Sequence, residues 1–140
     1  MTAPRPSLTL TLLQAREAAM GFFRPSLNER GLTEQQWRII RILRQNGEME
    51  IFQLAQQACI LKPSMTGVLS RMERDGVVSR RKSEQDQRRV HVELTTKGQQ
   101  CYVAMSEDME DNYQKILAQF GSEKLQQLLE LLNELKQIKP

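Results

Sequence analysis

The chain has 140 residues, a formal net charge of +3, and 39% hydrophobic and 26% charged side chains, too apolar a mix for a disordered polymer. A domain of this size buries roughly two-thirds of its unfolded surface and folds without disulfides or metals. Two cysteines and one histidine exclude a disulfide framework and a multi-histidine metal site and leave almost nothing for a Cys–His or Ser–His–Asp constellation, so no cofactor, no metal and no enzyme is expected.

The charge is unevenly divided: residues 62–91 sum to +4, residues 1–61 to +2 and residues 92–140 to −3, so a polyanionic partner would be met in the middle third. Four Phe, two Tyr and one Trp are few, and the abundance of Leu, Gln and Arg favours helix over sheet. The first seven residues carry no apolar run behind a charged start, and no stretch reaches the roughly eighteen apolar residues of a membrane span. No leader and no membrane association are read, and the cytoplasm is the expected location.

In chain order, Ser7 can cap a first helix through Leu8, Leu10, Leu12, Leu13, Ala15, Ala19, Met20, Phe22 and Phe23. Apolar on more than one face, it suits burial between two neighbours or across a subunit contact. Pro25 should kink or end it, and Gly31 closes the segment. Thr33 and Gln36 fit a capping box for a helix to about Gln45, with Trp37, Ile40 and Leu43 at helical spacing and Asn46-Gly47 as the stop. A short helix over residues 50–59 turns Ile51, Leu54, Ala55 and Ala58 inward, with Cys59 read as a buried, inert thiol at its end.

Pro63 opens the next helix, 63–75, at the first helical position where its missing N–H is no loss, and Gly76 closes it. Met65, Val68, Leu69 and Met72 share one stripe of this helix; Ser64, Thr66, Gly67, Ser70, Arg71 and Arg74 lie on the other side. Residues 77–94 alternate as a hairpin whose long polar tip spans 83–88. Thr95 or Thr96 caps a helix to about Phe120, Gly121-Ser122 breaks it, and Ser122 with Lys124-Leu125 starts the last helix.

Short helix, tight turn, second helix and hairpin describe a winged helix-turn-helix. The second helix of such a unit lies in the major groove, so it must bury one stripe and present small or hydrogen-bonding groups on the other. Helix 63–75 does this: Gly67 permits close backbone approach, Ser64, Thr66 and Ser70 offer hydroxyls, and Arg71 and Arg74 can reach guanine or phosphate. Arg81, Lys82, Arg88 and Arg89 on the hairpin make a second contact with backbone or minor groove. Asp86 can aim Arg88 by a charge-assisted hydrogen bond, or serve as an Asx-turn residue at the tip, which is compatible with the same role.

Three stretches, LTEQQWR at 32–38, SMTGVLSRMERDG at 64–76 and DQRRVHVELTTKG at 86–98, resemble the MarR family of winged-helix transcription regulators. The last, Asp-x-Arg followed by Leu-Thr-x-x-Gly, is the most specific, and the resemblance covers essentially the whole chain. LLQAREAAM at 12–20, FFRP at 22–25 and ACILKPSM at 58–65 look like a branch of that family that governs aromatic-acid catabolism. The resemblance implies a mainly helical single domain with six helices and a small β-hairpin, built as an intertwined dimer: 7–31 and 95–139 for dimerisation, 33–94 as the winged helix-turn-helix, with wing 77–94. It implies a homodimer on a palindromic operator of double-stranded DNA, its half-site centres ~34–36 Å apart, repressing until a small aromatic acid releases it. Seven aliphatic residues within 125–138 exceed what one helix can bury against a monomer of this size, in agreement with a dimer.

A phenylacetate-type anion needs an arginine for its carboxylate and an apolar slot for its ring. Arg16 is the first candidate for the carboxylate, although it could instead pair with Glu17 or an acid of the partner. Met20, Phe23, Trp37 and Arg38 are candidates for the walls, and His91 or Tyr102 for a ring hydroxyl. The first helix has no cysteine, and Cys101 has no basic partner evident in the sequence, which argues against a thiol switch. A different or absent ligand, or a helical adaptor whose basic hairpin meets an acidic protein, are the alternatives; salt dependence on duplex DNA separates the adaptor from a DNA-binding protein.

Overall fold

Residues 3–140 are described by a computed structural model; Met1 and Thr2, where the stretch read for a leader begins, lie outside the described residues. The helices are α1 (Leu8–Met20), α2 (Arg24–Glu29), α3 (Glu34–Asn46), α4 (Ile51–Ala58), α5 (Lys62–Arg74), α6 (Thr96–Phe120) and α7 (Ser122–Leu135), and the strands are β1 (Met49–Glu50), β2 (Val78–Lys82) and β3 (Val90–Leu94). Seven helices among the described residues, against the six expected, reflect the separate α2. Pro25 does not end the first helix. The break comes earlier, at 21–23, and Pro25 occupies the first turn of α2, where no N–H is needed. The sheet also gains a strand beyond the expected hairpin: β1 pairs antiparallel with β3 (Met49 opposite Val92), in the order β1-β3-β2.

The chain divides into two compact units. One holds the residues up to Pro25 together with Asp108–Pro140; the other is Ser26–Glu107, and α6 runs through both. Every buried hydrophobic side chain among the described residues belongs to the second unit. There Trp37, Ile39, Ile40 and Leu43 of α3 meet Leu54, Ala55 and Ala58 of α4, the Met65–Val68–Leu69–Met72 stripe of α5, and Val78 and Val92 of the sheet. The capping box forms as expected, with Thr33 Oγ1 accepting from the Gln36 N–H and Gln36 Oε1 from the Thr33 N–H, both at 3.1 Å.

In the first unit no residue of α1 or α7 is buried; Leu8, Leu10, Leu13, Leu128, Leu129 and Leu131 are exposed in the single chain. Ser7 caps α1 as expected, accepting from the Leu10 N–H, and α7 starts at Ser122 as expected, with Gly121 at its N-cap. Cys59 corrects the expectation of a buried thiol: it is exposed, closing α4 in the left-handed region at φ 56°. Turning into that conformation carries its side chain off the inward face that Ala58 continues.

Candidate DNA-binding surface and effector region

Helix α5 begins one residue earlier than expected, with Leu61 at its N-cap and Pro63 in its first turn. Its buried stripe leaves Ser64, Thr66, Gly67, Ser70, Arg71 and Arg74 exposed together on the outer side. A Cβ added at Gly67 would meet nothing within 4 Å, so the glycine leaves a gap on the helix surface rather than relieving a clash. Arg74 stands 3.9 Å from Asp75 and is 74% exposed, free to swing.

The wing is anchored by charge at two points. Arg80 of β2 bonds Glu73 of α5 at 3.0 Å, and the Arg80 guanidinium holds the Glu73 carboxyl below the usual carboxylate range. Arg81 reaches Glu48 at 2.5 Å, in the turn between α3 and β1, and His91 Nδ1 lies 3.3 Å from the same Glu48 oxygen. At the tip, Asp86 Oδ1 accepts from the Arg88 backbone N–H at 3.0 Å, the Asx turn, and from Arg88 Nε at 3.4 Å, while Arg89 Nε is 3.8 Å from Oδ2. The two readings of Asp86 are therefore one arrangement. Among the described residues Arg71 and Lys82 have no carboxylate partner and Arg88 is 93% exposed, so positive charge is left available on α5, at the end of β2 and at the tip.

The Leu94-Thr95-x-x-Gly98 run joins the wing to α5 and α6. Thr95 Oγ1 donates to the Gly76 and Val77 carbonyls and accepts from the Gly98 N–H, which makes Thr95 the cap of α6. Lys97 Nζ bonds the Asp75 carbonyl at 2.7 Å. Gly98 is forced by space, since a Cβ there would stand 2.2 Å from the Val77 carbonyl oxygen. Sequence reasoning saw this run as a family signature and missed its work, as it missed Glu48. No periodicity links Glu48 to Arg81, 33 residues away.

The five effector candidates fall in both units, and each unit is described by itself. In the first, Arg16 is 3.8 Å from Glu17, whose two carboxylate oxygens accept from the Arg24 guanidinium at 2.8 and 2.9 Å. Phe23 lines an apolar groove of about 560 Å³ with Ala15, Ala18, Ala19, Phe22, Tyr113, Ile116, Phe120, Leu125 and Leu128; Met20 is half-buried outside that lining. In the second, Trp37 is buried and stacks on Tyr102 at 5.7 Å, with Arg44 over the Tyr102 ring. Arg38 Nε is buried with no hydrogen-bond acceptor among the described residues. His91 belongs to the wing and is committed to Glu48 rather than to these side chains. Burial pushes the Cys101 thiol up despite Arg30 and Lys97, so this cysteine is not poised as a thiolate. No helix among the described residues is long and apolar enough to cross a membrane.

Comparison with known proteins adds four findings. The model of the MarR family matches residues 32–90. The homoprotocatechuate degradative operon repressor of Escherichia coli is 54% identical over 91% of this chain and 86% of its own length. Among solved structures, the transcriptional regulator PA4135 superposes with a TM-score of 0.95 at 77% identity, covering 97% of this chain and 100% of that one. NadR in complex with 4-hydroxyphenylacetate superposes at 0.87 and 45% identity, with 99% of each chain covered.

Proposed function

Because the chain belongs to the MarR family, we propose that it is a dimeric repressor of an aromatic-acid catabolic operon, released from a palindromic operator by 4-hydroxyphenylacetate or 3,4-dihydroxyphenylacetate. The observation that carries DNA binding is the pairing, in one unit with its own core, of an exposed hydroxyl-, glycine- and arginine-bearing face of α5 with a wing whose tip cations are steadied by Asp86. Ser64, Thr66, Gly67, Ser70, Arg71 and Arg74 read or approach base edges; Arg81, Lys82, Arg88 and Arg89 hold backbone or minor groove. The expected place of action is the cytoplasm, where the operator is.

The choice of effector is supported by the 45% identical NadR, whose structure holds 4-hydroxyphenylacetate, and by the 54% identical operon repressor. Arg16 takes the carboxylate and Met20 and Phe23 contact the ring; Trp37 and Arg38 are the further candidates. The buried Nε of Arg38 is a donor in want of an acceptor, a condition that costs about 1–3 kcal/mol until one arrives. An acid releases the operator only if it binds the DNA-incompetent arrangement more tightly than the competent one. The exposed leucines of α1 and α7 supply the dimer contact.

The test is fluorescence anisotropy of the protein on the promoter DNA beside its own gene, at fixed salt, with and without each acid. Tight, selective binding weakened by either acid is expected. Binding indifferent to both removes the effector and keeps the repressor. Absence of preference over random duplex by an intact dimer replaces DNA with an acidic protein partner.

A further inference from the structure

The winged unit leaves three large apolar side chains exposed, Phe52, Leu61 and Val103, and of these Leu61 is the most exposed. Leu61 stands at the N-cap of α5, a position where Ser, Thr, Asn or Asp normally accepts a hydrogen bond from the first turn. Here no side chain caps the helix, and Leu61 contributes only its carbonyl, which accepts from the Ser64 and Met65 N–H groups at 2.9 and 3.1 Å. Its side chain is 78% exposed, more than any other large hydrophobic residue among those described, while the adjacent Ile60 is 6% exposed and belongs to the core. The chain thus turns one apolar residue in and the next one out, at the mouth of the recognition helix.

We infer that Leu61 is a specificity-determining residue that packs against the 5-methyl group of a thymine in the major groove of each half-site. The inference rests on the proposed DNA-binding role of α5 and adds to it an apolar contact that the hydroxyls and arginines cannot make. The N-terminal end of a recognition helix is the end that meets base edges. Among base-edge groups in the major groove, the thymine methyl is the apolar one. The immediate surroundings fit DNA better than a protein partner. Lys62, Ser64 and Thr66 are exposed beside Leu61, and the Lys62 ammonium lies 4.8 Å from the centre of the half-exposed Phe52 ring, a cation held near the same spot. A protein interface would need a contiguous apolar patch there, and Leu61 beside a Phe52 ring under the Lys62 ammonium, with the Ser64 and Thr66 hydroxyls around them, does not make one.

The experiment uses the full-length dimer and promoter duplexes in which each thymine of the half-sites is replaced in turn by deoxyuridine, which removes only the methyl group. Wild type is expected to lose about fourfold in affinity per methyl at one symmetric pair of positions, the effect of uncovering one methyl-sized apolar group. Leu61→Ala is expected to melt at the wild-type temperature and bind random duplex as wild type does. On the natural operator it should be weaker, and at that pair it should no longer distinguish thymine from deoxyuridine. Two results overturn the inference while leaving the repressor intact: methyl discrimination unchanged in Leu61→Ala, or an equal loss on operator and random duplex. A wild type with no preference for the promoter duplex overturns the repressor reading and this contact together.

Discussion

Replacing Gly67 by alanine should raise stability and lower DNA affinity at once, a combination that few surface substitutions produce. Gly67 lies in the interior of α5, exposed, with nothing within 4 Å of the added methyl group. In the free protein the change removes the conformational cost of a helical glycine, about 0.5–1 kcal/mol. For a chain of this length that is a rise in Tm of about 2–4 °C. In the complex, a helix ~10–12 Å across with its side chains enters a groove ~12 Å wide, so clearance at the closest backbone approach is small. Forcing one methyl into such a contact costs about 1–3 kcal/mol. Both half-sites are affected, so operator affinity should fall at least ~30-fold on the lower figure. Circular-dichroism melting at one protein concentration gives the first quantity and anisotropy titration the second. A raised Tm with undiminished affinity refutes the placement of this face against base edges. A lowered Tm refutes the open space around Gly67.

Gly98→Ala should do the reverse, because its Cβ would stand 2.2 Å from the Val77 carbonyl oxygen and 2.9 Å from Leu94 Cδ2. Moving that carbonyl disturbs its bonds from the Thr95 N–H and hydroxyl and costs about 2–4 kcal/mol, a fall in Tm of ~10 °C; an unchanged melting curve contradicts the close packing. Arg88→Ala should weaken promoter and random duplexes alike and flatten the salt slope by about one per wing, and a loss confined to the promoter would mean base reading instead. Arg16→Ala should leave effector-free DNA binding within about twofold and raise the acid concentration for half release ~10-fold or more, the share of one charged hydrogen bond; unchanged release removes Arg16 from the site. The Glu73 carboxyl is held below its usual range by Arg80, so the stability from this pair is present above that range and is lost as pH falls through the lowered value. The Tm difference between wild type and Arg80→Met should therefore shrink on acidification, and a difference unchanged by acidification would show that the carboxylate contributes nothing.

Features written in local chemistry were legible in the sequence. The capping box of α3, the buried stripe of α5, the glycine at φ 77° after it and the hairpin from Val78 to Leu94 each follow from residue types a few positions apart. What escaped was short or distant. β1 has two residues, too few to display a period, and exists only because β3 pairs with it. Proline breaks helix interiors and so points to a kink or end of α1 at Pro25, yet a proline in a first turn breaks nothing. Cys59 follows an apolar face in the sequence, and its left-handed backbone leaves that face. The side chains proposed to face DNA follow from residue type, whereas the carboxylates that pair with some of them need the fold: Asp86, two residues from Arg88, is legible in the sequence, and Glu48 is not.

The distribution of apolar burial explains why a regulator of this kind is two-handed. The Ser26–Glu107 unit fills its own core, so α5 and the hairpin are packed in place within a single chain. Helices α1 and α7 bury nothing in a single chain and leave their leucines exposed, so association is what covers them. On the proposed function, the Ser26–Glu107 unit fixes what each half-site meets, and α1 and α7 fix whether two such units are held together at a set spacing. Affinity for a palindrome depends on both halves being engaged at once, through the effective concentration that the dimer imposes. On that proposal, an acid held by Arg16, Met20 and Phe23 need not touch the exposed face of α5 at all. Changing the spacing by a fraction of the ~34 Å helical repeat withdraws one half-site, and with it most of the advantage of operator over random DNA.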